Sequence, residues 1–385
     1  MMSSHLEFDE IHVSLSESVR GWAKTYWAPG AALRDENAQF DEALYHRLDT
    51  DLGVMNITLP EELDGSGLDV AATVLVIEAL SEFDPGMAMS YLSQELLFSH
   101  QLYWTWQTMK REIPAAHAQI LKNKWISGMA MTEPNAGTDV LGMTTRAERC
   151  EGGFKLNGVK QWITNGPNGR VFLVYARTGE GRRDISLFVV MGDTPGLVRT
   201  ECEQKMGMRS SPTGILTFQD CFVPESALVG NLHEGLRPMI RNLAAERLGL
   251  AAQSCGIAKT CFETMKSYAG QRMAFGRPIA EFGQIQRLVA ESYALYRAMH
   301  AMLYDGVWEL IEENGKASET ADAVKLFCST GAETIGRNAI QVLGANGYSK
   351  AYPVERLYRD AVLLSIGGGT NEALQKNITR QLINS

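Results

Sequence analysis

Four short stretches carry the residues best suited to chemistry. In "NLAAERLGL" Glu246 lies in an apolar helical context, with Ala244 and Ala245 before it and Arg247, Leu248, Gly249 and Leu250 after it. A carboxylate so placed can accept a proton, because partial burial raises its pKa toward neutrality. It can equally be the polar edge of an amphipathic helix, or an ion-pair partner for Arg247 or Arg241. "LSIGGGTNEAL" places Gly367, Gly368 and Gly369 in a row, which suits a tight turn, a flexible break, or backbone closing on a ligand. "MAMTEPNAGTDV" offers backbone N–H groups, Gly137 and the hydroxyls of Thr132 and Thr138 to a ligand, or simply turns the chain. In "KQWITNG", strand alternation puts Trp162 and Thr164 on one face. An indole and a hydroxyl there can stack on and hydrogen-bond a flat heterocycle, although a core tryptophan serves the same pattern.

The elements that must position these groups fall into three blocks. Residues 6–123 read as helical, with Val70, Val74, Ile77 and Leu80 at three- and four-residue spacing and breakers in "LPEELDGSGLD". From 125 to 232 the texture becomes short β-rich runs punctuated by glycine, read as an antiparallel β domain with a hairpin turn at Asn157-Gly158. After Gly235 the helical period returns and persists, as in an antiparallel bundle. The expected boundaries are 1–124, 125–232 and 233–385. This order is not a doubly wound alternation, and no Gly-x-Gly-x-x-Gly runs from a strand into a helix, which disfavours a Rossmann-type nicotinamide site.

Composition excludes several classes. A chain of 385 residues, 45% hydrophobic, buries a large core, and its formal charge of −9 disfavours a polyanion-binding surface and hence nucleic acid. The six cysteines form no Cys-x-x-Cys pair and no zinc-type spacing. Reduced, buried thiols follow, with no metal. The opening "MMSSHLEFDE" lacks a basic segment followed by an apolar one, and no run of about 18 apolar residues occurs. A cytoplasmic protein without a membrane partner is expected.

Taken together and in order, "MTEPNAGTD", "QWITNG", "KMGMRSS" with "FQDCFVP", "QRMAFGRPI", "QVLGANGYSKAYPVERLYRD" and "IGGGTNE" resemble the acyl-CoA dehydrogenase family of flavoproteins over essentially the whole chain. The resemblance implies an N-terminal helical domain, a middle β domain and a C-terminal four-helix bundle, assembled as a homotetramer, with FAD between the last two. It implies that Met131, Thr132, Gly137 and Thr138 line the cofactor and that Trp162 and Thr164 approach the isoalloxazine. Arg272, Phe275, Gln341, Gly344, Thr370 and Glu372 would complete the site, some of them toward a neighbouring subunit. Met129, Thr138, Arg247 and Gly367 would border the acyl group. The implied electron acceptor is an electron-transfer flavoprotein or oxygen.

The resemblance also implies a reaction in which a base removes the α-proton of an acyl thioester while hydride leaves the β-carbon for flavin N5. Most members carry that base as a glutamate directly before the Gly-Thr of the last motif, and here that position is Gly368. A smaller set, isovaleryl-CoA dehydrogenases among them, carries it on the helix that opens the bundle, where this chain has Glu246. Gly368 would retain a backbone N–H for the thioester carbonyl, with extra room at the reacting carbons, and Glu246 would act from the opposite wall. Three positions depart from relatives. Gly283, beside Gln284, replaces a flavin-contacting glutamine; Met129 replaces an aromatic residue; and Ala244 replaces an aspartate near pantetheine, which opens the choice between CoA and a carrier protein as handle. The expected activity is dehydrogenation of a short, branched or cyclic acyl thioester. The alternatives are a prolyl- or aminoacyl-carrier dehydrogenase or oxidase, an enoyl-thioester reductase, and a silent thioester-binding flavoprotein.

Overall fold

The computed structural model describes residues 8–202, 204–313 and 318–384. Most of the opening segment read above for targeting signals, Met1–Glu7, lies outside them. Among the described residues, seven α-helices make the first domain: α1 (Glu10–Tyr26), α2 (Ala31–Asn37), α3 (Glu42–Leu52), α4 (Val70–Ser81), α5 (Pro85–Gln94), α6 (Gln101–Thr108) and α7 (Ala115–Lys122). The sequence of α4 is apolar on every side and the helix is buried on every side, started by Asp69, whose Oδ1 accepts from Ala72 N at 3.0 Å. A π-helical turn, Glu95–His100, joins α5 to α6. Buried Glu95 anchors it by accepting from the backbone N–H groups of Asn56 and Ile57, and burial pushes its pKa up to about 7.

The β domain comprises β1 (Ser127–Ala130), β2 (Arg146–Cys150), β3 (Gly153–Thr164), β4 (Val171–Arg177), β5 (Ile185–Met191), β6 (Leu197–Glu201), β7 (Thr213–Pro224) and β8 (Leu228–Val229). The path β6-β7-β3-β2-β4-β5-β8 is mostly antiparallel, as expected of this domain, and β1 and β2 meet β4 in parallel. The expected hairpin at Asn157-Gly158 is also absent. β3 runs straight through it, and the glycine absorbs a register shift against β7 at φ +144°, where a Cβ would lie 2.6 Å from Thr145 Cα. Asn-Gly serves a bulge as well as a turn, because both ask for a residue free of a side chain.

The third domain holds α8 (Leu236–Gln271), the two-residue strands β9 (Met273–Ala274) and β10 (Arg277–Pro278), α9 (Gly283–Glu312), α10 (Ser318–Leu343), α11 (Val354–Leu364) and α12 (Asn371–Asn384). It is built on three long helices with two shorter ones at its end. The "KMGMRSS" loop ties the domains together. Ser210 Oγ bonds Asp84 at 2.6 Å, Met208 N bonds Asp360, and Met206 O accepts from Arg359 at 2.8 Å, while Arg359 also grips Asp35 of α2 at 2.6 Å. Among the described residues no helix is long and apolar enough to cross a membrane, and no cluster of three or more His, Cys, Asp or Glu could hold a metal ion.

Inside the β domain Lys160 and Glu133 form a fully buried pair at 2.8 Å. Burial opposes both charges, yet the ammonium and the donors of Thr144 and Thr145 hold Glu133 at about 2. Lys160→Met leaves that carboxylate buried without its cation. The expected cost in denaturant unfolding is about 3–5 kcal/mol, against about 0–1 kcal/mol for Arg182→Met, whose pair with Asp139 is exposed.

Candidate active site

Glu246 lies on α8 and is only 8% exposed, and among the described residues its Oε2 has no hydrogen-bond partner. Burial raises its pKa above the ordinary 4.5, opposed by the nearby charges of Arg247 and Lys325. The ion-pair reading fails for Arg247, whose guanidinium pairs with Asp322 of α10 and donates from Nε to Gly368 O at 3.2 Å. Glu246 is thus a buried carboxylate next to a cation that is already engaged elsewhere.

The glycine loop is not a flexible break. Besides the Arg247 bond to Gly368 O, Lys325 Nζ donates to Gly369 O at 2.8 Å and to Asn371 Oδ1 at 3.0 Å, and Asn371 N closes on Ser365 O at 3.0 Å. Gly368 and Gly369 sit at φ +64° and +94°, where only glycine is at ease. Among the described residues the N–H groups of Gly368, Gly369 and Thr370 have no backbone partner. In a trans peptide C=O and N–H point oppositely. Carbonyls drawn down to Arg247 and Lys325 therefore turn the N–H groups of Gly369 and Thr370 the other way.

A side chain at 368 would meet Glu246. An ideal Cβ there lies 3.6 Å from Glu246 Oε1 and 2.4 Å from Leu250 Cδ1. The carboxylate from α8 therefore lies within contact distance of the side chain a residue at 368 would carry, with Leu250 Cδ1 nearer still. Leu250 fills the space expected to be free beside Gly368, whereas Gly367 meets only Leu363 O at 3.6 Å.

The β-domain candidates also converge. Lys160 Nζ holds Met131 O at 3.0 Å and Gln161 N holds Thr132 O at 2.9 Å, which fastens the 131–144 segment to the end of β3. Ile163 is buried, while Trp162 is 52% exposed at φ +62° in a bulge and Thr164 is half-buried. A large side chain held exposed in the left-handed region is a costly arrangement that suits a ligand platform, not a core. Gly137 and Thr138 are exposed and Met129 is half-buried on β1. Such a wall of exposed indole, hydroxyls and glycine fits a flat, polar heterocycle.

Arg272, Phe275 and Gly344 line a second, open cavity of about 630 Å³ with Tyr268, Phe282 and Asn346, and Phe275 is 96% exposed at φ +51°. This groove is separate from the Trp162 wall within one chain, and Gln341 is exposed outside its lining. Thr370 caps α12, accepting from Ala373 N at 3.3 Å, and Glu372 is exposed in its first turn. Gly283 and Gln284 are exposed at the start of α9. The sequence reading missed Lys325, Asp322, Leu250, Lys160 and Glu133. A lysine within the apolar run Val324-Lys325-Leu326-Phe327, one helical turn after Asp322, was the available signal.

Three domains in this order bring an unpaired buried carboxylate beside a pinned glycine loop, and the family models that match all three make the chain an FAD-dependent oxidoreductase acting on CH–CH bonds. Models of the acyl-CoA dehydrogenase N-terminal, middle and C-terminal domains match residues 9–115, 128–221 and 233–383, and the chain belongs to that family. It is 36% identical over 389 residues to the mitochondrial isovaleryl-CoA dehydrogenase of Oryza sativa subsp. japonica, covering 99% of this chain and 93% of that one. Butyryl-CoA dehydrogenase from Megasphaera elsdenii superposes with a TM-score of 0.93 at 29% identity, covering 98% of this chain and 99% of that one. A structure described as PigA with FAD and proline gives a TM-score of 0.90 at 26% identity, with 98% of each chain covered.

Two outcomes test this geometry. Gly368→Ala forces a left-handed residue at roughly 1–2 kcal/mol and displaces Leu250, so its melting temperature should fall, while Gly367→Ala should stay within about 0.5 kcal/mol of the parent. A carboxylate with a raised folded-state pKa contributes stability that is present while it is protonated and lost as pH rises through that pKa. Glu246→Gln does not titrate. Its melting temperature relative to the parent should therefore climb as pH rises above 4.5.

Proposed function

We propose that the protein dehydrogenates a short, branched or cyclic acyl thioester across its α,β bond, with Glu246 as the base that takes the α-proton. The observation that carries this reading is the approach of Glu246 Oε1 to within 3.6 Å of the Cβ position of residue 368, with Oε2 left unpartnered. Two addresses for a base, one on the loop and one on α8, thus meet in one place, and the chain has filled one of them.

The chain's own groups divide the work. Glu246 Oε2 accepts the proton, and burial favours its protonated product. The Gly368 N–H donates to the thioester oxygen, which gains negative charge as the proton leaves. Arg247 and Lys325 hold the loop that carries this donor and add positive potential beneath it. Met131, Thr132, Gly137, Thr138, Trp162 and Thr164 would make one wall for FAD, and Arg272 would meet its diphosphate, with Phe275, Gln341 and Gly344 completing the site, in part from a neighbouring subunit of a homotetramer. Thr370 and Glu372 border the same site from α12. FAD supplies the acceptor for the hydride that leaves the β-carbon.

Similarity to an isovaleryl-CoA dehydrogenase and to a protein solved with proline supports a branched or cyclic acyl group. Ala244 leaves both CoA and a carrier protein as handles, and the electrons pass to an electron-transfer flavoprotein or to oxygen. In anaerobic stopped-flow, Glu246→Gln should retain FAD yet reduce it about 10²–10⁴-fold more slowly with acyl thioester. In the parent, the rate should fall as pH drops through a pKa above 4.5, because the base must be ionised to act. Unchanged reduction in the variant would sink the assignment.

A further inference from the structure

On α10, Asp322, Lys325, Ser329 and Glu333 recur at three- and four-residue spacing and so share one face of the helix. Each of them ends on the glycine loop or on the arginine beneath it. Glu333 accepts from Ser365 Oγ, Ser329 Oγ meets Asn371 Oδ1 at 3.1 Å, and Lys325 Nζ donates to Gly369 O and Asn371 Oδ1. Asp322 differs from the other three. Its Oδ1 takes the Arg247 guanidinium of α8 instead of the loop, while Oδ2 accepts from Asn377 Nδ2 of α12 at 3.3 Å.

That choice of partner matters because Arg247 and Glu246 converge. Adjacent helical residues diverge by about 100°, yet both tips reach the same two glycines. A Cβ at Gly368 would lie 3.6 Å from Glu246 Oε1, and one at Gly369 would lie 3.6 Å from Arg247 Nη2. Successive Cα atoms are only about 3.8 Å apart, so the carboxylate and the guanidinium flank one peptide. Asp322, with its side chain 1% exposed, is the anion that draws the guanidinium to α10. The other groups acting on the Glu246 charge are already committed. Lys325 of α10 holds the loop and also feels Glu372 of α12, and the Tyr175 hydroxyl on β4 stays un-ionised through burial.

We propose that Asp322 is a positioning residue for the proton transfer, which by holding Arg247 withholds that cation from Glu246 and leaves the carboxylate basic. The assignment rests on the reading of Glu246 as the base. With Asp322 gone, Arg247 turns to Glu246 and stabilises it as an ion, so that its pKa falls by about 1–3 units. The test reads Glu246 directly, in FAD-loaded protein without substrate, from the pH midpoint of the protonated-carboxyl infrared band that Glu246→Gln removes. The parent, Asp322→Asn, Arg247→Gln and the double variant are compared. Asp322→Asn should lower the midpoint by at least about one pH unit where Arg247 is present, and by less than about 0.3 where that arginine has been replaced. In anaerobic stopped-flow the pH midpoint of flavin reduction should move down with it, and the rate at high pH should fall roughly tenfold as the base weakens. Asp322→Glu, which keeps the anion, should bring both back toward the parent. A merely structural role for Asp322 would lower the rate and leave the midpoint in place. Asp322→Ser, which leaves room for water beside the guanidinium, repeats the comparison if the asparagine variant fails to fold. An unmoved or raised midpoint, an equal fall with and without Arg247, or loss of FAD and of circular dichroism in both Asp322 variants overturns the proposal. The infrared midpoint also separates the two readings. Its fall beside undiminished flavin reduction by Glu246→Gln would refute the base and leave the hold of Asp322 on Arg247 standing, and a fixed midpoint beside an inactive Glu246→Gln would do the reverse.

Discussion

The site depends on a buried carboxylate that has been denied a counter-ion. Arg247 is the adjacent residue on α8 and would be the obvious partner, but Asp322 and the Gly368 carbonyl claim its guanidinium. An unpaired buried acid is unfavourable for folding, and that same deficit gives Glu246 its affinity for a proton. Had Arg247 turned to Glu246, the acid would be stabilised as an ion and lose the basicity a proton acceptor needs. The Asp322 contact therefore acts on both sides of the site, keeping the arginine away from the carboxylate and holding it beneath the loop.

The loop follows from the same arrangement. Arg247 and Lys325 each take one carbonyl of the Gly368-Gly369 segment, and the positive φ angles of these glycines let successive peptides turn down to them. Lys325 is itself lowered to about 8, by burial first and then by Arg247, so the cations beneath the loop are held close together at some cost. What results, among the described residues, is a pinned loop whose N–H groups at 368–370 have no backbone partner, near a carboxylate oxygen without a hydrogen-bond partner. A Cβ at 368 would clash with Leu250 Cδ1 at 2.4 Å and would touch Glu246 Oε1 at 3.6 Å.

Much of this was legible in the sequence, for identifiable reasons. The three blocks could be read because helical and strand periods differ and because α4 and α8 are long enough for the difference to accumulate. Glu246 stood out because a carboxylate amid alanines and leucines is rare. The bulge at Gly158 was misread, since local chemistry allows both turn and bulge and only pairing with β7 decides. The Arg247–Asp322 and Lys325–Gly369 contacts were invisible because they join residues 75 and 44 positions apart. Such distances carry no periodic signal. Trp162 was readable as a residue type but not as an exposed one, because its exposure depends on the backbone angle at the bulge.

The central claim is that Glu246 moves the α-proton, and it can be examined apart from hydride transfer. A 3-thia-acyl thioester has sulfur at the β position and cannot yield a hydride there, but its α-protons remain removable. Incubated with FAD-loaded protein in deuterium oxide and followed by proton NMR, its α-position should exchange with the parent protein and fail to exchange with Glu246→Gln. Exchange at equal rates in both would contradict the account.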